Sequence, residues 1–338
     1  MRKISFFILL SFLLDSPWVR GQDIHFSQFN DAPFNLNPGL TGVFDADLRI
    51  VGNQRTQWRS VTLPYSTFAI HGDGRGLIKK YKNLSLGAGF AHDKAGDSRL
   101  KTTSINLSGA LSKPLASNPD HSFSAGIGLS FHFVGIDYSD LRFDNQWTGI
   151  FYDPGLSPDE NFQRDSRFYP DLSLGLAHQY QAPEGWKCTN GLSLYNLMSP
   201  QQSFFDVTTV RLDPRSNFFS DFTIPINDKW DVQPSVLFST QGKYKELNIG
   251  GLGNYVLMNE RSVYRSVYGG LFFRTKDAGY LVAGMRYDDW KVGLSYDINT
   301  SNLKPASNGR GGLEIAVIYL IRMANDDLPL KKYCPDFF

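Results

Sequence analysis

Residues 122–134 read SFSAGIGLSFHFV and decide the fold class, because large apolar residues alternate with small or polar ones along the whole stretch. One face of this alternation carries Phe123, Ala125, Ile127, Leu129, Phe131 and Phe133. The other face carries Ser122, Ser124, Gly126, Gly128, Ser130 and His132. Successive side chains of a β-strand point to opposite faces, so this period of two predicts a strand with one apolar and one polar face.

The same alternation recurs along the rest of the chain. Predicted strands begin near residues 46, 64, 83, 99, 122, 168, 187, 217, 229, 246, 265, 279, 290 and 311. These are about 14 strands, and most have the roughly 9–11 residues that cross a bilayer at a tilt. A further candidate at 204–210 is assigned to a loop, because single-chain bacterial barrels usually have an even number of strands. The pattern predicts an all-β fold, a single transmembrane antiparallel β-barrel over residues 46–322.

The lengths of the predicted connections favour a barrel in a bacterial outer membrane. Alternate connections are short at 182–185, 227–228 and 288–289, and long at 135–167, 196–216 and 299–310. Outer-membrane barrels have short turns on the periplasmic side and longer loops outside. We therefore expect the short turns and a C-terminal tail at 323–338 to face the periplasm, and the long loops to face the outside.

The composition fits strands that face lipid on one side. The chain has 26 Phe, 16 Tyr, 6 Trp and 31 Gly, with a mean hydropathy of −0.28. Trp58, Trp186, Trp230 and Trp290 lie near predicted strand ends, either as membrane-interface girdles or because aromatic residues favour strands in general. A formal net charge of +1 removes the main electrostatic argument for a nucleic-acid partner, and outer-membrane lipid is the expected neighbour.

The N-terminus has the pattern of a secretory signal peptide. Arg2 and Lys3 precede an apolar stretch at 6–14, so we predict a signal peptide over residues 1–21. That stretch is far shorter than the ~20 residues that a membrane-spanning helix needs. Residues 22–45 form a segment ahead of the barrel, which lies either in the periplasm or in the lumen as a plug.

The sequence lacks the patterns typical of catalysis or metal binding. It contains no G-x-S-x-G nucleophile motif and no H-E-x-x-H metal motif. His132 and His178 would meet only if their strands paired in a suitable register. We therefore expect no enzymatic activity, no metal site and no cofactor.

The longest predicted loop is the first candidate for a surface that binds a partner. Its charged residues include Asp153, Asp159, Arg164 and Asp165. Such charges are most often solvated, but exposed loops on a rigid scaffold are also where binding residues concentrate. We therefore assign this loop as the candidate partner surface.

The two cysteines are Cys188 and Cys334. Cys188 begins the seventh predicted strand just after a short turn, and Cys334 lies in the tail, so both fall at the periplasmic end of the barrel. An oxidising periplasm permits a disulfide bond between them, which would pin the tail to the barrel. The alternative is that both thiols are free.

Three N-terminal stretches resemble a known family. They read QDIHFSQF at 22–29, NLNPGLTG at 35–42 and QRTQW at 54–58. Together they resemble the beginning of the PorP/SprF-type membrane proteins of the type IX secretion system. The matching family-motif positions are Phe26, Ser27, Gln28, Asn37, Pro38, Gly42, Arg55, Gln57 and Trp58. Later stretches resemble the same family and extend the likeness over nearly the whole chain: HDKAG at 92–96, GLSYDIN at 293–299 and GLEI at 312–315.

The resemblance implies a non-enzymatic outer-membrane barrel that works with type IX secretion and gliding machinery. It implies export or surface anchoring of a large secreted adhesin, through its C-terminal domain, as a client. It also implies attachment of periplasmic partners, including a peptidoglycan-binding lipoprotein. The alternative is an outer-membrane channel for small solutes, which requires an open and charged lumen. The predicted inner faces are rich in Gly and Ser and poor in rings of charge, which disfavours a selective pore.

Overall fold

Fourteen antiparallel strands close into one barrel in the computed structural model, which describes residues 23–57, 64–78, 80–96, 100–138, 141–157, 164–205, 207–260, 263–301 and 308–323. The strands are β1 (Leu48–Gln57), β2 (Tyr65–Arg75), β3 (Leu84–Ala95), β4 (Leu100–Leu115), β5 (Asn118–Gly135), β6 (Ser166–Gln181), β7 (Lys187–Tyr195), β8 (Arg215–Pro225), β9 (Trp230–Gln241), β10 (Tyr244–Glu260), β11 (Val263–Arg274), β12 (Ala278–Tyr287), β13 (Trp290–Asn299) and β14 (Arg310–Ile321). β1 closes the barrel by pairing with β14 from Leu48, opposite Ile321, to Gln57, opposite Gly312. Closure removes the sheet edges whose unpaired backbone groups a bilayer would not tolerate.

The predicted strands are confirmed. Each begins within four residues of its prediction, and the largest difference is at β5, which begins at Asn118 rather than near residue 122. Residues 118–121 lack an apolar alternation, yet Asn118 pairs with Leu115 and continues the hairpin. The segment at 204–210 lies in the β7–β8 connection, inside an isolated bridge between Gln201 and Arg211. No helix in the described part of the chain is long and apolar enough to cross a bilayer.

The two faces of the strands differ as the alternation predicts. Ile127, Leu176 and Leu271 point outward and are exposed, whereas Ser124 and Arg274 point into the lumen and are buried. An outward apolar band and a polar interior are the two requirements of a barrel that spans a membrane.

The two ends of the barrel carry different connections. We call one the loop-rich end, with connections 136–165, 196–214 and 300–309, and the other the short-turn end, with connections 182–186, 226–229 and 288–289. Three connections at the loop-rich end are short, 242–243, 275–277 and 96–99, and the connection 76–83 at the short-turn end is longer than its neighbours. The positive φ of Gly242, 57°, permits the first of these tight turns. β1 begins and β14 ends at the short-turn end.

Aromatic rings pair at the short-turn end. The pairs and their centroid distances are Tyr180–Trp186 at 4.9 Å, Trp230–Tyr255 at 4.9 Å and Trp290–Tyr319 at 4.3 Å. Trp and Tyr favour the interface between membrane and water, where the ring is buried and its polar group is hydrated. Their common level on the barrel fits a girdle better than a general strand preference.

Residues 23–47 occupy part of the lumen, and we call them the plug. They contain the 3-10 turns Phe29–Asp31 and Pro38–Leu40 and the short helix α1 (Pro33–Leu36). At the loop-rich end, the backbone N–H of Asp23 donates to Gln241 Oε1 at 3.1 Å. Near the short-turn end, the N–H of Gly42 donates to Asp73 Oδ2 at 2.7 Å. The plug therefore runs through the barrel from the loop-rich end to the short-turn end before the chain enters β1. Of the two predicted locations for this segment, the periplasm and the lumen, the structure has it in the lumen.

Candidate functional site

Four charged side chains meet in the lumen near the loop-rich end, and we call them the latch: Arg55, Arg274, Asp297 and Glu314. Arg55 Nη2 and Arg274 Nη2 lie 2.8 and 2.7 Å from Asp297 Oδ2. Arg55 Nη1 lies 3.6 Å from Glu314 Oε2. None of the four side chains is more than 3 % exposed. Buried charges are costly unless they are paired, and here each has an opposite charge from another strand.

The latch holds the plug through its two carboxyl groups. Glu314 Oε2 and Oε1 accept the backbone N–H groups of Ser27 and Gln28 at 2.6 and 2.9 Å. Ser27 Oγ donates to Asp297 Oδ1 at 2.7 Å. Hydrogen bonds to carboxylates are stronger than those between neutral groups. The start of the first 3-10 turn is therefore tied to β13 and β14.

Asn37 fixes the plug to the opposite wall. Its Nδ2 donates to the backbone oxygens of Leu176 on β6 and Leu192 on β7, at 2.9 and 3.1 Å. Its Oδ1 accepts the N–H of Gly39 at 2.7 Å, so the same side chain also caps the second 3-10 turn. Asn37 is 1 % exposed, and one amide group thus orders both the plug and its attachment.

Glycines in the wall allow the plug to approach the strands closely. A Cβ atom at Gly126 on β5 would lie 2.3 Å from Pro38 O. A Cβ atom at Gly175 on β6 would lie 1.9 Å from Asn37 Oδ1. Gly42 has a φ of 75° and turns the chain toward β1. The family-motif positions Asn37, Pro38 and Gly42 therefore shape the contact between plug and wall.

The structure brings part of the family motif together at the latch. Ser27 and Gln28 of the plug meet Arg55 of β1 through Asp297 and Glu314. The remaining positions are Phe26, which is buried in the plug, Gln57, which faces an open part of the lumen, and Trp58, which lies outside the described residues.

The prediction of inner faces poor in rings of charge did not reveal the paired charges of the latch. Arg274, Asp297 and Glu314 each occupy one inward position on a different strand, so no run of charge reveals them in the sequence. Only the register of the closed barrel brings them together. Asp297 and Glu314 lie in the stretches at 293–299 and 312–315 that resemble the family, and this resemblance was the only indication of the latch in the sequence.

The candidate partner loop is only partly organised by its charged residues. Asp153 Oδ1 accepts the N–H of Gly155 within an exposed turn, and Asp159 lies outside the described residues. Arg164 and Asp165 lie at the base of the loop beside β6, where the Arg164 oxygen accepts the Tyr138 hydroxyl at 3.1 Å. Burial raises the pKa of Tyr138, and the negative charge of Asp165 raises it further.

The same loop presents an apolar tip that the sequence analysis missed. Residues 143–156, which we call the loop hairpin, are held by Gln146, whose side chain donates to Leu156 O and accepts from Phe143 N. Trp147 pairs with Tyr152 as a bridge, and this closes the tip. The tip exposes three large apolar side chains: Trp147 at 57 %, Ile150 at 84 % and Phe151 at 58 %. The apolar residues in the stretch WTGIFY at 147–152 could have predicted this tip, but the loop was assigned from its charged residues alone.

Cys188 is buried at the short-turn end of β7. Its sulfur accepts a hydrogen bond from Asn190 Nδ2 at 3.0 Å. Cys334 lies outside the described residues, so a disulfide bond between Cys188 and Cys334 stays a prediction.

An open cavity of about 1240 Å³ occupies the lumen beside the plug, and we call it the chamber. Residues from β1 to β7 form its wall, and plug residues such as Phe34 and Pro38 form its floor. The β7–β8 connection contributes residues from Gln202 to Asp213 at its mouth. The lumen thus has a filled side near β8–β14 and, toward the loop-rich end, an open side near β2–β6.

The strands of His132 and His178 do pair, but the register keeps these residues apart. His178 lies opposite Phe123 and its Nε2 is 2.9 Å from His121 Nδ1, whereas His132 Nδ1 lies 2.7 Å from Ser104 Oγ in the chamber wall. In the described ranges, no three His, Cys, Asp or Glu side chains form a group suited to a metal ion.

The sequence matches the family model for "Type IX secretion system membrane protein PorP/SprF" over residues 19–319. No curated protein matches the chain. Among solved structures, the toluene transporter TbuX of Ralstonia pickettii has a TM-score of 0.51 at 10 % identity, with 87 % of this chain and 94 % of that chain covered. The toluene transporter TodX of Pseudomonas putida has a TM-score of 0.50 at 10 % identity, with 85 % and 92 % covered. At this identity, the two structures show a common barrel fold.

Proposed function

Because the chain belongs to the PorP/SprF family of type IX secretion system membrane proteins, we propose that it is a platform in the outer membrane. Its loop-rich side would retain a secreted adhesin-like client, and its short-turn side would attach periplasmic parts of the secretion and gliding machinery. The protein is an outer-membrane β-barrel of a secretion family rather than of an enzyme family. The observation that supports the platform is the plug, which crosses the lumen and is hydrogen-bonded to opposite walls of the barrel.

The plug favours a platform over a channel for small solutes. It is bonded to β13 and β14 by the latch and to β6 and β7 by Asn37, on opposite sides of the lumen. A channel needs a continuous path, whereas the plug forms the floor of the chamber. The channel remains the alternative, because a chamber of about 1240 Å³ opens beside the plug.

The loop hairpin is the proposed contact for the client. Large aromatic and aliphatic side chains at the centre of an interface contribute most of the binding energy. Trp147, Ile150 and Phe151 are exposed together, and the hydrogen bonds of Gln146 fix the turn that carries them. A preformed turn loses little conformational freedom on binding, which favours affinity.

The short-turn end is the proposed side for periplasmic partners. Asp47, just before β1, accepts the N–H of Met323, just after β14, at 2.7 Å. Arg322 pairs with Asp289 in the turn between β12 and β13. The chain therefore leaves the barrel at this end, where a peptidoglycan-binding lipoprotein would be reached.

A pull-down with the full-length tagged protein, in mild detergent from its native cells, tests the platform. We expect mass spectrometry to recover a large secreted surface protein together with a periplasmic lipoprotein. In the variant W147A/I150A/F151A, we expect the surface protein to fall at least roughly tenfold, because three anchors of an interface are removed. The lipoprotein should stay at its original level.

The matched control is L197A/M198A, which removes exposed apolar side chains from a different connection at the same end of the barrel. Equal loss of the surface protein in both variants would contradict the assignment to the loop hairpin. Recovery of the barrel alone, with steady conductance in planar bilayers, would overturn the platform in favour of the channel.

A further inference from the structure

The chamber exists because the inward side chains of β2 and β3 are small. Ala69 on β2 lies opposite Ala91 on β3, and Gly89 follows one level lower on β3. The plug does not fill the resulting space of about 1240 Å³. The chamber extends from residues at the loop-rich rim, such as Gln57 and Tyr65, to Pro38 in the plug. A ligand would therefore enter from the loop-rich end.

The charged groups of the chamber already have partners within the protein. Asp93 accepts the Thr67 hydroxyl at 2.5 Å, and Asp171 accepts the N–H of Asn196 at 2.8 Å. Arg215 donates to plug oxygens, and its Nε lies 3.6 Å from Asp23 Oδ2. An ionic ligand would have to displace these contacts. The chamber is thus poorly suited to a ligand that is recognised by its charge.

Neutral polar groups remain available in the same wall. Gln57, Thr102, Asn106 and Ser130 all line the chamber, and none of these side chains has a hydrogen-bond partner among the described residues. Asn106 and Ser130 are direct neighbours across β4 and β5. Amides and hydroxyls both donate and accept hydrogen bonds, which matches a ligand with many hydroxyl groups. A hydrocarbon would leave these groups without partners.

Two stacked rings lie directly above this pair. His132 lies opposite Tyr169 across β5 and β6, and the rings stack at a centroid distance of 4.9 Å and an angle of 26°. Ser104 fixes the His132 ring through its hydrogen bond. We propose that the chamber is a binding site for a neutral oligosaccharide from the cell surroundings, with sugar hydroxyls on Asn106 and Ser130 and a sugar ring in contact with the stacked side chains of His132 and Tyr169. This site needs the barrel and the plug, but not the client.

Saturation-transfer NMR on the full-length protein tests the proposal, in a detergent without a sugar head group. The probes are maltohexaose, cellohexaose and chitohexaose, each compared with toluene and with an uncharged Gly/Ser decapeptide. We expect saturable binding of at least one hexasaccharide, without competition from toluene or the peptide. In N106A/S130A, the affinity should fall roughly tenfold, because two hydrogen bonds are lost. A91W should abolish binding by filling the chamber.

The control is I105A/I127A, which changes outward-facing residues of the same two strands and should leave the affinity unchanged. Heat-modifiable migration on gels verifies that each variant still forms a barrel. Failure of all three sugars to bind would overturn the proposal, as would unchanged affinity in a folded N106A/S130A. Stronger binding of the decapeptide would assign the chamber to a polypeptide instead, and stronger binding of toluene would assign it to a hydrocarbon.

Discussion

The two sides of the lumen use the same strand pattern with opposite results. On the side of β13 and β14, inward polar groups are paired with the plug, and no side chain of the latch is more than 3 % exposed to solvent. On the side of β2 to β6, inward polar groups such as Asn106 and Ser130 face the chamber. The alternation of the strands predicts that an inward residue is polar or small. The path of the plug then determines whether that residue bonds to the plug or remains free to bind a ligand. The comparison predicts large effects of substitution where a residue contacts the plug and small effects where it faces the chamber.

The largest expected effect is at the centre of the latch. Asp297→Ala leaves Arg55 and Arg274 buried without their shared partner and removes the acceptor of Ser27 Oγ. Breaking such a buried pair costs about 3–5 kcal/mol. We expect this loss in the free energy of unfolding, measured by urea titration in lipid vesicles, together with faster proteolysis of the plug.

The control for this change is Asp289→Ala at the short-turn end. Asp289 pairs with Arg322, but both side chains are well exposed. Solvent screens exposed pairs, so the loss should stay below about 1 kcal/mol. Similar losses in the two variants would show that the latch does not hold the plug.

A smaller effect is expected from crowding the contact between plug and wall. Gly175→Ala would place a methyl group 1.9 Å from Asn37 Oδ1, so the plug must shift. Overpacking of this kind typically costs about 1–3 kcal/mol. The control Gly109→Ala faces outward on β4, where the nearest atom is 3.6 Å away, and should change stability by less than about 0.5 kcal/mol. The same unfolding titration applies, and a harmless Gly175→Ala would argue against a tight plug.

The smallest effect is expected from replacing an asparagine on each of the two sides of the lumen. Asn217 on β8 donates to the plug oxygen of Leu36 at 3.1 Å and accepts the hydroxyl of Ser239. Asn217→Ala should therefore cost about 0.5–1.5 kcal/mol, because its hydrogen bonds are lost while the Leu36 oxygen keeps the hydroxyl of Ser193. Asn106→Ala on the chamber side should stay within about 0.5 kcal/mol. Thermal shifts of the gel-mobility transition would measure both, and equal losses would remove the distinction between the two sides.

The sequence predicted the wall of the barrel far better than its contents. Period-two alternation is local, so each strand is visible from its own residues, and β7 and β13 begin at the predicted residue. The latch is not local, because Arg55 and Glu314 are brought together only by closure of the barrel. Resemblance to the family singled out Ser27, Gln28 and Arg55, but not what they contact. The chamber could not be predicted from the sequence, because it is the part of the lumen that the plug leaves unoccupied.

The path of the plug also constrains how the protein is assembled. Asp23 lies beside Gln241 at one mouth of the barrel, whereas Leu48 opens the first strand at the other. The pairing of β1 with β14 therefore closes the barrel around a peptide that precedes β1 in the chain. The simplest order of events is that the N-terminal peptide is laid down first and the seam is sealed around it. A consequence is that any epitope fused ahead of Asp23 would be displayed on the opposite side of the bilayer from the start of β1.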